Sequence, residues 1–230
     1  MSAFIGIIEK DYVLIATDTL STYPLQNGNT ELIPRSYTIK TFPLPQYKSA
    51  FAITGTFQVG LCYFNYIVES TYGIDIDSLI NINLNPFTKK ITSEYNQLLS
   101  GTIYLFGYSN KSQSFKGFKL IFNPKNKLSW VNLPDNCFIF KPDVNDWEKK
   151  LRMDNERNER FDTTKFIIDL MKIQKAEEMK KDLKCRVGIG GQILLTQLGF
   201  ETDSKTFTIN TQIIHEFDDY IRLGNEMTKY

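Results

Sequence analysis

Two residues that could take part in chemistry, Ser2 and Asp18, stand at the ends of the first stretch of the chain. The hydroxyl of Ser2 is a potential nucleophile, and Asp18 supplies a carboxylate. Between them lie two short apolar runs, residues 3–8 and 12–16, separated by three polar residues. Such runs predict two buried strands joined by a tight hairpin, which would bring Asp18 back towards Ser2. The alternative is an ordinary N-terminal hairpin without a catalytic role.

A lysine and a glycine further along the chain could extend such a site. Lys40 falls within a strand-like run at residues 37–42, where its simplest explanation is a solvated charge that protects a sheet edge. Gly55 ends the apolar run at residues 49–54, and Thr56 can cap the helical pattern that follows. A strand, a glycine and a helix start leave free backbone N–H groups where an oxyanion could bind. Most turns of this kind only connect two elements.

The composition argues against several other classes of function. Of the 230 residues, 42% are hydrophobic and 23% are charged, and the formal net charge of +1 gives no reason to expect nucleic acid as a partner. No apolar run approaches the roughly 18–20 residues of a membrane span, and the start lacks a secretory signal, so we expect a cytoplasmic protein. Three scattered cysteines and one histidine, His215, argue against a disulfide framework, a zinc site and a Ser-His-Asp triad. We expect no cofactor and no metal.

The remaining pattern predicts one α+β domain over residues 1–230. Strands are predicted at residues 102–108, 115–122, 127–133, 137–140, 192–198 and 206–211, and helices at 56–69, 86–99, 165–181 and 213–223. Asp162 begins a cap for the helix at 165–181, and the last helix would carry His215. A turn-rich loop that could form a small hairpin at Asn27-Gly28 follows the first strands. A densely charged excursion covers about residues 143–160.

The first stretch of the chain resembles, with identical spacing, the opening of proteasome β subunits. The matching positions are Ser2, Gly6-Ile7, Lys10-Asp11, Val13-Leu14, Ala16 and Asp18-Thr19. Residues 39–42 are similar to the strand that supplies the active-site lysine of that family, and residues 51–55 to the strand whose last glycine forms the oxyanion hole. The order of elements also resembles that of proteasome-type N-terminal nucleophile (Ntn) hydrolases. The resemblance covers most of residues 2–198 and implies a four-layer αββα sandwich.

This resemblance implies a peptidase or amidase in which Ser2 is the nucleophile once Met1 has been removed, as is expected before a small residue. The α-amine of a terminal serine, with a reference pKa of about 7.7–8.0, can then act as the base. Lys40 would lower the pKa of the amine and the hydroxyl, and Asp18 would keep Lys40 charged and in place. The N–H of Gly55 would stabilise the tetrahedral oxyanion.

Other positions depart from the pattern of the family. Residues 137–143 lack the serine-glycine turn that supports the terminal amine in proteasome-type peptidases. Asp182 matches a supporting aspartate of the family, but Cys185 stands where a serine is usual and is a poorer hydrogen-bonding group. These departures favour an alternative function, a catalytically silent proteasome-like assembly subunit. From the resemblance alone we expect a homo-oligomeric ring and, for an enzyme, a peptide or amide substrate.

Overall fold

The computed structural model describes residues 3–23, 32–70, 73–95, 99–123, 128–147, 162–201 and 206–228. Ser2, the hairpin predicted at Asn27-Gly28 and most of the charged excursion lie outside these residues. Within them the chain forms two five-stranded sheets, a two-stranded sheet and five α-helices. No helix of these residues is long and apolar enough to cross a membrane.

The elements follow one another along the chain with short connections. The strands are β1 (Phe4–Ile8), β2 (Tyr12–Asp18), β3 (Leu20–Thr22), β4 (Pro34–Tyr37), β5 (Thr41–Leu44), β6 (Ser49–Gly55), β7 (Gly101–Ser109), β8 (Ser114–Phe122), β9 (Val131–Asn132), β10 (Phe138–Lys141), β11 (Gln192–Glu201) and β12 (Thr206–Glu216). The α-helices are α1 (Phe57–Ser70), α2 (Ile76–Ile80), α3 (Asn85–Glu94), α4 (Thr163–Met179) and α5 (Tyr220–Met227). Short 3-10 helices lie at Pro45–Tyr47 and Leu183–Cys185.

Both large sheets are antiparallel. The first has the strand order β10-β1-β2-β11-β12, and the second has the order β5-β6-β7-β8-β9. The predicted N-terminal hairpin is confirmed, since Phe4 lies opposite Thr17 and Ile8 opposite Val13. On its other side β2 pairs with β11, where Ile193 lies opposite Asp18. Because β2 is the central strand of its sheet, Asp18 is enclosed from both sides.

Three apolar clusters hold these elements together. In the first, the two large sheets meet, and the ring of Phe4 stacks on that of Tyr104 with centroids 4.3 Å apart. In the second, helices α1, α2 and α3 pack on the second sheet around the buried ring of Tyr63. In the third, α4 covers the first sheet and packs Met171 in the same cluster as Ala3. The predicted mixture of α and β structure is confirmed in a fold dominated by antiparallel sheets, whereas the four-layer order stays a prediction.

The strand predicted around Lys40 is wrong. β4 ends at Tyr37 and β5 starts at Thr41, so Lys40 lies in the connection between two different sheets. Backbone hydrogen bonds hold this connection: the Thr38 amide donates to the Thr19 carbonyl at 2.7 Å, and the Ile53 amide donates to the Lys40 carbonyl at 3.0 Å. The side chain of Lys40 is therefore free of the alternation of a strand and turns inward.

Predictions near the ends of other elements also need correction. The helix predicted at 213–223 starts only at Tyr220, and His215 lies in β12 because the run around Ile213 pairs with Leu194 of β11. A short apolar run fits either structure until its pairing partner is known. The helix predicted at 86–99 ends at Glu94 as α3, and the strand predicted at 127–133 is reduced to Val131–Asn132.

Candidate active site

The carboxylate of Asp18 lies at the centre of the site and is fully buried. Its Oδ1 accepts hydrogen bonds from the Ala3 amide and from Lys40 Nζ, both at 2.8 Å. Its Oδ2 accepts from the Gly190 amide at 3.2 Å. Three donors, one of them charged, thus replace the water that a carboxylate loses on burial.

Lys40 reaches this carboxylate from the connection between β4 and β5. Its Nζ also donates to the Leu20 carbonyl at 2.6 Å, and only 5% of the residue is exposed. Next to this pair, the hydroxyls of Thr17 and Thr41 lie 3.3 Å apart, so the two segments are joined at successive residues. The geometry therefore brings together two of the predicted site residues, Asp18 and Lys40.

Burial acts on both charges of the pair. Burial raises the pKa of Asp18 above its ordinary value, although the charge of Lys40 and the hydrogen bonds from Lys40, Gly190 and Ala3 act in the opposite direction. Burial likewise lowers the pKa of Lys40, and the nearby carboxylate offsets part of this effect. A lysine in such a place gives up a proton more readily than a lysine in water, which is a property of functional lysines.

Gly55 closes strand β6 in a conformation that only glycine adopts easily. Its φ is 98°, and a Cβ at this position would lie 2.7 Å from Gly101 Cα and 2.8 Å from the Ser100 carbonyl oxygen. The Lys40 carbonyl pairs with Ile53, two residues earlier. At about 3.3 Å per residue, Gly55 lies about 7 Å further along the strand from this contact. Gly55 is half-buried, so it borders the site at an accessible edge.

The other two predicted residues are not placed in the same way. Ser2 lies outside the described residues, although the residue bonded to it, Ala3, contributes the amide that contacts Asp18. Asp182 is exposed just before the 3-10 helix Leu183–Cys185, and its side chain makes no capping hydrogen bond there. Its carbonyl accepts from the Cys185 amide at 2.8 Å. The roles predicted for Ser2 and Asp182 stay predictions.

A tyrosine that the sequence analysis did not single out borders the same region. Tyr104 is 4% exposed beneath the start of β1, where it stacks on Phe4. Burial raises the pKa of Tyr104 to about 12, the Asp143 carboxylate adds to this increase, and a hydrogen bond with Thr54 acts against it. Thr54 directly precedes Gly55. One aromatic residue in an apolar strand carries no signal in the sequence, since only the packing of the sheets shows what its hydroxyl meets.

A cavity of about 130 Å³ lies next to the site but is separate from it. Leu20, Val187 and Leu223 give it an apolar lining, and the ion pair between Lys175 and Asp219 lies in its wall. The cavity shares Leu20 with the site, but neither Asp18 nor Lys40 lines it. Among the residues that the structure describes, no cluster of three or more histidine, cysteine, aspartate or glutamate side chains could hold a metal ion.

Comparisons with known proteins agree in fold. No protein-family model and no curated protein matches the chain. A solved structure of an Anbu (Gly-1) mutant from Hyphomicrobium sp. strain MC1 has 13% identity and a TM-score of 0.55, and covers 100% of this chain and 94% of its own. Anbu from the same strain has 11% identity and a TM-score of 0.53, with coverage of 99% and 94%. Anbu from Yersinia bercovieri, described as an ancestral beta-subunit, has 9% identity and a TM-score of 0.53, with coverage of 99% and 92%.

These neighbours correct the family suggested by the sequence. The resemblance to proteasome β subunits assigned the chain to the wrong group, because the similar structures are Anbu proteins, which are proteasome-like but distinct. The reason is physical. The matching motif covers one hairpin, and a hairpin that places an aspartate beside the chain start is compatible with more than one group of this architecture. At identities of 13% or less, the comparison establishes a proteasome-like Anbu fold and no activity.

Proposed function

We propose that the chain is a serine-type N-terminal nucleophile hydrolase on an Anbu-like fold, which cleaves peptide or amide bonds with Ser2 after Met1 has been removed. The observation that carries this proposal is the buried Asp18–Lys40 pair at the start of β1. The amide nitrogen of Ala3, 2.8 Å from Asp18 Oδ1, is covalently bonded to the carbonyl carbon of Ser2. The chain therefore starts within reach of the pair.

The energetics of the pair support a functional reading. Removing two charges from water costs more than most ion pairs regain, and apolar residues of similar size often serve the fold as well. Asp18 and Lys40 have side-chain exposures of only 0% and 6%, so this cost applies in full. Buried charges with shifted pKa values that converge on one place are typical of functional sites.

The proposed reaction is an acyl transfer in two stages. The Ser2 hydroxyl attacks the carbonyl carbon of the substrate, and its proton passes to the Ser2 α-amine. The Gly55 N–H stabilises the oxyanion, and when the tetrahedral intermediate collapses, the leaving amine takes the proton from the α-ammonium. Water then attacks the ester on Ser2, again with the α-amine as base, and releases the acid. The charge of Lys40, held by Asp18, lowers the pKa of the hydroxyl and amine throughout.

The wider context is part of the same proposal. We propose one Ntn-hydrolase-like domain over residues 1–230 that assembles with copies of itself, supported by the description of one structural neighbour as an ancestral beta-subunit. A cytoplasmic location is supported by three free cysteines, Cys62, Cys137 and Cys185, which are typical of a reducing compartment.

A second candidate function is that of a catalytically silent assembly subunit. The observation that favours it is the exposed position of Asp182, whose side chain makes no capping bond and is not hydrogen-bonded to Asp18 or Lys40 in the described part of the chain. In such a protein the buried pair would act only as a brace between β2 and the connection that follows β4.

Treatment with an electrophile distinguishes the two functions. The reagent is an epoxyketone, which needs a hydroxyl and an adjacent amine to form both of its bonds. An enzyme forms one stable adduct, detected by intact mass, and Ser2→Ala abolishes it. The matched control is Ser112→Ala, in an exposed turn, which keeps the adduct. No adduct in a protein that has lost Met1, or an equal adduct in Ser2→Ala, contradicts the enzyme and favours the assembly subunit.

A further inference from the structure

A buried glutamine on α4 carries an acceptor without a partner. Gln174 is completely inaccessible to solvent, and its Nε2 donates to the Pro142 carbonyl at 2.9 Å. Its Oε1 is also buried and has no hydrogen-bond partner in the part of the chain that the structure describes. The Pro142 carbonyl can only accept, so the amide nitrogen must face it and Oε1 must face away. A buried oxygen in this position calls for a donor.

The start of the chain is the nearest source of such a donor. Phe4 pairs with Lys141, so the residue held by Gln174, Pro142, lies one position beyond this pair, beside the first residues of the chain. From the other side, Met171 lies one helical turn before Gln174 and packs in the same cluster as Ala3. Two independent contacts thus bring the Gln174 amide next to the beginning of β1.

We infer that Gln174 is a positioning residue for the terminal amine, and that its Oε1 accepts a hydrogen bond from the α-amine of Ser2. This inference rests on the proposed function, because a free amine exists only after removal of Met1. Gln174 would supply what residues 137–143 lack, an oxygen that aims the amine at the hydroxyl of the same residue. The oxygen comes from a helix instead of a turn.

A neutral acceptor suits the charges that face the amine. In the described residues these are Asp18 of β2, Lys40, Asp143 after β10, the phenol of Tyr104 on β7, and Glu178 one turn further along α4. Glu178 is occupied, since its Oε2 accepts from the Val187 amide and its Oε1 from Lys181. An amide oxygen orients the amine without adding a charge. By accepting from the ammonium form it raises the pKa of the amine, and its loss therefore lowers that pKa.

The test measures the protonation of the Ser2 amine without using turnover. The purified protein is labelled with acetic anhydride over a range of pH, and the rate at the N-terminal peptide is read by mass spectrometry. In Gln174→Met, which keeps the size and removes the acceptor, the labelling rate near neutral pH should rise about three- to tenfold. In Gln174→Glu, which adds a negative charge, the rate should fall. Gln212→Met, on exposed β12, should leave the rate unchanged.

The outcomes separate this inference from the function on which it rests. Retention of Met1 in the intact mass overturns both, because no free amine is present. Loss of Met1 with wild-type labelling rates in folded Gln174→Met and Gln174→Glu overturns the role of Gln174 alone. Should Gln174→Met fail to fold in a thermal melt, the nearly isosteric Gln174→Glu decides: a slower rate supports the inference and an unchanged rate contradicts it.

Discussion

Lys40 Nζ and Asp18 Oδ1 form an ion pair 2.8 Å long that solvent scarcely reaches. The pair joins the end of β2 to the connection between β4 and β5, and it lies beside the first described residue of the chain. By contrast, Lys116 and Asp135 form a pair of equal length whose side chains are 29% and 63% exposed. The two pairs offer a direct comparison between a buried and a solvated lysine.

Removal of the buried lysine should destabilise the fold strongly. Lys40→Met leaves the Asp18 carboxylate without its cation, and we expect the free energy of unfolding to fall by about 3–5 kcal/mol. Lys116→Met should change it by less than about 1 kcal/mol, because exposed pairs contribute little. Urea denaturation of both variants measures the difference. Equal losses would show that the buried pair has no special importance for stability.

The same two variants test the chemistry assigned to Lys40. If its charge activates the Ser2 hydroxyl and amine, Lys40→Met should slow formation of the epoxyketone adduct by at least about 100-fold, a size typical of groups that assist proton transfer. Lys116→Met should react at the rate of the wild-type protein. The rates are compared by intact mass under conditions in which both variants remain folded. A folded Lys40→Met that reacts at the wild-type rate would remove Lys40 from the site.

Gly55 should tolerate no side chain. In Gly55→Ala the positive φ alone costs about 1–3 kcal/mol, and the new Cβ would meet the backbone of Gly101. We therefore expect lower stability in urea and a slower reaction with the epoxyketone. The control is Gly224→Ala in α5, where a Cβ has no neighbour closer than 3.9 Å and alanine should stabilise the helix by about 0.5–1 kcal/mol. Equal stability of the two variants would contradict the strain assigned to Gly55.

The phenol of Tyr104 should make stability depend on alkaline pH. Its pKa is raised from 10.0 to about 12, so the unfolded state loses this proton first as the pH rises. The contribution is therefore complete below about pH 10 and is lost as the pH approaches 12. Between about pH 9 and 11 the wild-type protein should lose on the order of 1 kcal/mol more than Tyr104→Phe. Tyr12→Phe, at a half-buried position of β2, controls for loss of a phenol. Parallel losses in the wild type and Tyr104→Phe would contradict this environment.

The sequence predicts local structure better than it predicts the surroundings of the site. The apolar runs of β1 and β2 and the cap at Asp162 are short-range patterns, and the structure confirms them. Lys40 was assigned to a strand because the neighbouring residues alternate, whereas its actual conformation follows from hydrogen bonds to Thr19 and Ile53. His215 was placed on a helix because a short apolar run does not show whether a strand such as β11 lies beside it.

Residues brought in by long-range packing gave no local signal. Tyr104 reaches the start of β1 only because the two large sheets face each other, and Gln174 does so only because α4 covers the first sheet. The choice of family failed for a similar reason. The motif from Ser2 to Thr19 describes a single hairpin, and the features that separate Anbu proteins from proteasome β subunits lie outside it.

The state of residue 2 in the purified protein tests the central claim most directly. Periodate cleaves the bond between Cα and Cβ only in a terminal serine with a free amine, so intact mass before and after treatment reports both removal of Met1 and exposure of Ser2. We predict a protein lighter by one methionine residue, in which periodate removes the hydroxymethyl group of Ser2. A protein that retains Met1 and does not react with periodate would contradict the assignment of Ser2 as an N-terminal nucleophile.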